Sequence, residues 1–197
     1  MATHWQGVYP AVTTKFHADG SLDPAWTAKN IEAQIAAGVD GIITCGSLGE
    51  ASTLSLEEKR EVLGIALKTA AGRVPVLQTV AENSTRDACT AARHAAESGA
   101  AGLMVLPGLR YVSDSRETIN HFRTVAAATP LKIMVYNNPI AYGVDVTPPM
   151  FAEMADEPKF VAIKESCGDV RRVTDLINLL GDRYAIFCGV DDLAMEA

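Results

Sequence analysis

Seven short apolar runs recur along the chain, and almost none of them alternates with polar residues. They cover residues 8–13, 41–45, 76–80, 103–106, 133–136, 160–164 and 185–188. A strand with one face in water reads as alternating apolar and polar residues. A strand covered on both faces reads as an unbroken apolar run. The runs therefore predict strands buried on both sides. Between them lie amphipathic segments with helix start and stop signals. Asp23-Pro24 and Thr147-Pro148 each offer an N-cap followed by an N1 proline. Ser55-Leu56-Glu57-Glu58 has the form of a capping box. Val173, Leu176, Ile177 and Leu180 form one apolar stripe, and Gly181 follows as the stop.

There is also a weak internal echo: residues 37–43 resemble residues 98–104, each placing a helix stop at glycine just before a strand. Strands that alternate with helices require a parallel sheet with right-handed crossovers. An open dinucleotide-binding sheet is disfavoured, because no G-x-G-x-x-G follows the first run. A repeat of roughly 30 residues fits a (β/α)8 TIM barrel of about 250 residues. The chain has 197 residues. The expectation is a single TIM-barrel domain over residues 1–197, C-terminally incomplete, with about seven βα units and without the eighth strand and the C-terminal helices. Residues 191–197 read as the start of a helix.

Lys and Arg total 17 against 24 Asp and Glu, a formal charge of −7. That balance argues against nucleic acid or an anionic membrane as a partner. The start, Met1-Ala2-Thr3-His4-Trp5-Gln6, lacks the basic and apolar regions of a signal peptide. No stretch reaches the roughly 18 apolar residues of a spanning helix. Cys45, Cys89, Cys167 and Cys188 form no CxxC pair, which fits buried free thiols in a cytoplasmic protein. His4, His17, His94 and His121 form no cluster and read as surface residues; without a His/Asp/Glu ligand set, a metal-dependent aldolase is disfavoured.

In a barrel of this kind the site lies at the C-terminal strand ends. Lys164 closes one apolar run. Desolvation there lowers a lysine's pKa, and a neutral amine attacks a ketone to form an imine. A lysine snorkelling out of a strand end looks the same in sequence. Tyr136 closes the preceding run; a phenol there either relays protons or simply packs with its hydroxyl in water. Gly46-Ser47-Leu48-Gly49-Glu50 follows the second run. Its glycines let backbone N–H groups approach a carboxylate, and Ser47 adds a hydroxyl, though a tight turn also uses glycine for its backbone angles. Gly189, in Gly189-Val190-Asp191-Asp192, leaves space beside the site, and the aspartates suit a helix N-terminus.

Taken together, Gly46-Ser47-Leu48-Gly49-Glu50, Tyr136-Asn137-x-Pro139, Ile163-Lys164-Glu165 and Gly189-x-Asp191-Asp192 resemble the dihydrodipicolinate synthase / N-acetylneuraminate lyase family in order and spacing. The resemblance spans nearly the whole chain. It implies Lys164 as the Schiff-base former with pyruvate or another 2-keto acid, Tyr136 as the proton shuttle, and Ser47 as a further catalytic hydroxyl. It also implies Gly46, Ser47, Leu48 and Gly189 around the substrate, no metal or organic cofactor, and a homotetramer of barrels.

Three positions depart from the synthases proper. Their first loop has two adjacent hydroxyl residues; here the second is Leu48. They carry an arginine two residues after the Tyr-Asn-x-Pro proline; here it is Ala141. They supply a loop tyrosine from a neighbouring subunit, and Leu109 falls at that place, followed by Arg110 and Tyr111. The expectation is therefore a catabolic aldolase, dehydratase or deaminase of a 2-keto acid. Dihydrodipicolinate synthase itself, or a keto-acid-binding barrel without catalysis, remain the alternatives.

Overall fold

The computed structural model describes residues 5–197. Met1 to His4, which carry most of the segment read for a leader and one of the four histidines, lie outside the described residues. Six parallel strands, β1 (Ile42–Thr44), β2 (Val76–Val80), β3 (Gly102–Val105), β4 (Ile133–Asn137), β5 (Phe160–Glu165) and β6 (Ala185–Cys188), pair in strict chain order. Helices α1 (Pro24–Ala36), α2 (Leu56–Ala70), α3 (Thr85–Ser98), α4 (Ser115–Ala127), α5 (Pro139–Tyr142), α6 (Pro148–Glu153) and α7 (Arg171–Leu180) complete the βα repeat. This is the curled, partly closed sheet of a TIM barrel.

The first of the seven expected strands, residues 8–13, is not one. It meets β1 in a single bridge, Ala11 to Ile43. The Ile43 amide donates to the Pro10 carbonyl and the Val12 amide to the Ile43 carbonyl. Pro10 has no N–H with which to extend a ladder. The segment still lies beside β1, and Tyr9 reaches Phe187 of β6 edge-to-face at 5.4 Å. The residues 191–197 form only a short 3-10 turn, Asp191–Leu193, in place of the expected helix.

Burial on both faces explains the unbroken apolar runs. Ile42, Val76, Leu103, Val105, Ile133, Val135 and Ile163 pack outward with Leu63, Ala92, Phe122 and Leu176 of the helices. Ile43, Leu77, Met104, Met134, Tyr136 and Ala162 point inward. One irregularity sets the site. The β4–β5 register shifts, so that Ile133 pairs with Phe160 but Met134 with Ala162. This bulge lets Phe160 and Ile163 both face the helices while Ala162 and Lys164 face the interior.

Helix ends follow the sequence signals, with one exception. The Asp23 side chain accepts from the Trp26 amide, and the Ser55 capping box is complete. Thr147 precedes Pro148 but makes no side-chain cap. The internal echo has a physical basis: Gly38 and Gly99 adopt left-handed angles of +91° and +90° at the ends of α1 and α3. Gly41, just before β1, and Gly102, the first residue of β3, then sit where a side chain would collide with the rings of Tyr9 and Trp5.

Two other expectations are corrected. His121 is buried: its Nδ1 faces the Thr85 hydroxyl at 2.9 Å and its Nε2 donates to the Leu106 carbonyl at 3.1 Å. The helical face that buries it was not distinguishable from one identity alone. Of the four free thiols, Cys45 and Cys89 are buried, whereas Cys167 and Cys188 are partly exposed. No described helix is long and apolar enough to cross a membrane.

Candidate active site

Every sequence-selected residue stands at the C-terminal end of the sheet, around one cavity of about 1240 Å³. Gly46, Ser47, Leu48, Tyr136, Lys164 and Gly189 all line it. Lys164 and Tyr136 are direct partners in the β4–β5 register. The lysine Nζ sits 4.6 Å from the centroid of the Tyr136 ring. Tyr136 is buried, whereas Lys164 keeps partial exposure toward the cavity. A partly hydrated amine above an aromatic face keeps its head accessible to a carbonyl carbon.

The Tyr136 hydroxyl accepts from the Asn138 amide at 3.1 Å. Its own proton is therefore directed elsewhere, and a developing phenolate has a donor already in place. Asn138 is itself fixed, because its side-chain carbonyl accepts from the Ala141 amide at 3.1 Å.

The loop after β1 reaches the same space. The left-handed residues here are Cys45 and Glu50, at φ 53° and 59°. Gly46 and Gly49 are not among them, so glycine does not serve the backbone angles as one sequence reading held. At Gly49 it serves close approach: a Cβ would meet the Val12 carbonyl oxygen at 3.0 Å. Two non-glycine residues in the left-handed region thus bracket the cavity loop. Ser47 and Leu48 are exposed at its tip.

Sequence reasoning missed Tyr142. Its hydroxyl hydrogen-bonds that of Ser47, and its ring meets Tyr136 edge-on at 5.9 Å. Burial pushes its phenol above the usual tyrosine range. It thus stays protonated at neutral pH and able to donate. Also missed was the support behind the strand ends. Asn137 donates to both Glu165 oxygens at 2.9 and 3.1 Å and to Asp145 at 3.0 Å. Arg172 clamps Asp145 at 3.0 and 2.9 Å and holds its carboxyl below the usual carboxylate range. The Glu165 carboxylate also accepts from the Cys167 amide at 2.8 Å. This network, buried at Asn137 and Glu165 and partly exposed at Asp145 and Arg172, ties β4 to β5 directly behind Tyr136 and Lys164.

Gly189 has the clearest steric role. A Cβ there would lie 2.9 Å from Cε of Lys164 and 2.0 Å from Oγ of Ser166. Lys164 is the one cationic side chain among the described residues lining the cavity, with Asp191 and Asp192 at its rim. No group of His, Cys, Asp and Glu among the described residues could hold a metal ion.

The chain matches the sequence model of the dihydrodipicolinate synthetase family over residues 4–197. It is 35% identical over 192 residues to 4-hydroxy-tetrahydrodipicolinate synthase of Methanothrix thermoacetophila, covering 97% of this chain and 64% of that protein. The chain thus spans just under two thirds of that relative's length. The structure superposes on dihydrodipicolinate synthase from Aquifex aeolicus with a TM-score of 0.93 and 32% identity, over 98% of this chain and 66% of that one. It is similar to YagE, a prophage protein of the dihydrodipicolinic acid synthase family from Escherichia coli solved in complex with pyruvate. That TM-score is 0.91 at 33% identity, over 95% of this chain and 64% of that one.

Proposed function

Because this chain belongs to the dihydrodipicolinate synthetase family, we propose that it is a Schiff-base-forming lyase of the class I aldolase type that acts on pyruvate or a related 2-keto acid. The observation that carries this is the placement of Lys164 Nζ 4.6 Å above the Tyr136 ring, facing a large cavity. In this reading Lys164 adds to the C2 carbonyl and becomes an imine, which withdraws electrons from the adjacent carbon. The protonated imine is the electron sink, so the chemistry needs no further cofactor. Tyr136 shuttles the protons. Ser47, held by Tyr142, and the amides of the Gly46–Leu48 turn receive the substrate carboxylate.

The distal part of the cavity favours a catabolic aldolase, dehydratase or deaminase. Leu48, Ala141 and Ile140 line it, and none can clamp a second carboxylate. The names of the curated relatives favour the second reading, condensation as a 4-hydroxy-tetrahydrodipicolinate synthase. The same proposal includes a cytoplasmic location and a homotetramer. Tyr111, Val112 and Ile140, exposed at 79%, 75% and 78%, offer apolar surface for assembly.

A screen of 2-keto acids tests this reading. Turnover of a hydroxylated or aminated keto acid without aspartate semialdehyde supports the lyase. Condensation of pyruvate with that aldehyde at a comparable kcat/KM supports the synthase instead. Binding without any turnover, undiminished in Lys164→Ala, contradicts both.

A further inference from the structure

Among the described residues, three buried side-chain polar atoms have no hydrogen-bond partner: Trp5 Nε1, Thr79 Oγ1 and Ser166 Oγ. Leaving a buried hydroxyl unpaired is destabilising, so each such group is a place where a partner is missing. Ser166 is the one beside the candidate nucleophile. It follows Lys164 by two positions at the end of β5, on the same interior side, and is 4% exposed. Its amide is fixed to the Asn137 carbonyl at 2.8 Å. The hydroxyl and the lysine chain converge on one point, the empty Cβ position of Gly189, at 2.0 Å from Oγ and 2.9 Å from Cε. Both side chains line the same cavity.

We propose that Ser166 donates a hydrogen bond to the oxygen that leaves as Lys164 forms its imine. The inference rests on the Schiff-base reading above. In that step the amine nitrogen adds to C2, and the carbonyl π pair moves onto oxygen. That oxygen takes one proton from the nitrogen to give a carbinolamine. Its C–O bond then breaks as it takes a second proton, from Tyr136, and departs as water while the nitrogen lone pair forms C=N. One carbonyl, one amine and one proton thus become an iminium ion and water. The departing oxygen is bonded to the carbon attached to Nζ, so it lies within reach of a hydroxyl that flanks the end of the lysine chain. Ser166 holds it without itself losing a proton. The residue touches a reacting atom in every keto acid, whatever the rest of the substrate carries.

The test is Ser166→Ala, with adduct formation followed by quenching pyruvate mixtures into borohydride at successive times, and with Tm measured in parallel. The expected result is trapping slowed by about 10²-fold or more, the scale of a lost charge-stabilising donor, with Tm unchanged or raised because an unpaired buried hydroxyl has gone. The slowing should be equal for pyruvate and for hydroxylated keto acids. Trapping at the normal rate overturns the proposal. So does slowing confined to hydroxylated keto acids, which would make Ser166 a reader of substituents, or slowing with a lowered Tm, which would make it structural. Absence of any adduct in the wild-type chain overturns the lysine reading itself, a distinct result.

Discussion

Gly189 holds open the space that the Lys164 side chain occupies: a Cβ at position 189 would lie 2.9 Å from Cε of the lysine. The nearest obstruction, Ser166 Oγ at 2.0 Å, closes the other side. Gly189→Ala should therefore displace the lysine. Overpacking of this kind costs about 1–3 kcal/mol, so urea unfolding should show a loss of that size. Trapping of pyruvate should slow as well. Wild-type stability together with wild-type trapping would show that the space is not needed.

Tyr136 is assigned proton transfer, not imine binding. Tyr136→Phe keeps the ring beneath Lys164 and removes the hydroxyl. Turnover should fall by roughly 10²–10⁴-fold, the usual worth of a positioned acid–base group. Equilibrium trapping of pyruvate on Lys164 should persist after long incubation. A variant with full kcat would remove Tyr136 from the mechanism.

Tyr142 holds the Ser47 hydroxyl at the cavity rim. Tyr142→Phe should raise KM for the keto acid, and Ser47→Ala should do the same. The double variant should be no worse than either single one, since both remove one shared contact. Steady-state kinetics on the four proteins measures this, and fully additive effects would separate the two residues.

His121 gives the fold a pH dependence. Burial pushes its pKa below the ordinary 6.5. Above pH 6.5 the imidazole is neutral in both folded and unfolded chains, so it adds no slope. As pH falls below 6.5 the unfolded chain takes a proton that the folded chain refuses. Stability should then drop by up to about 1.4 kcal/mol per pH unit until the folded pKa is reached. Urea unfolding at successive pH values, compared with His121→Asn, isolates this contribution. The variant should lose that part of the slope, and an unchanged slope would assign it to other groups.

The sheet was legible because strands covered on both faces must be apolar throughout, and Lys164 and Tyr136 were legible because each interrupts such a run at its end. The run over residues 8–13 misled because hydrophobicity reports burial, whereas a strand also needs donors, and Pro10 supplies none. The bulge between Ile133 and Met134 left no trace in composition, yet it decides which way Lys164 points. Tyr142, Asn138 and Ser166 escaped notice for a related reason. The Ser47–Tyr142 contact joins residues 95 apart in sequence, and the isolation of the Ser166 hydroxyl is defined only by what surrounds it. Such roles depend on the three-dimensional closure of the sheet and on no local pattern.

The central claim is that Lys164 is the amine that becomes the imine. Incubation with pyruvate, reduction with borohydride and peptide mapping by mass spectrometry test it directly, with Lys164→Arg as the control. The account predicts a reduced pyruvate adduct on the peptide containing Lys164 and none in the variant. An adduct on another lysine, or turnover of a keto acid that survives in Lys164→Arg, would contradict it.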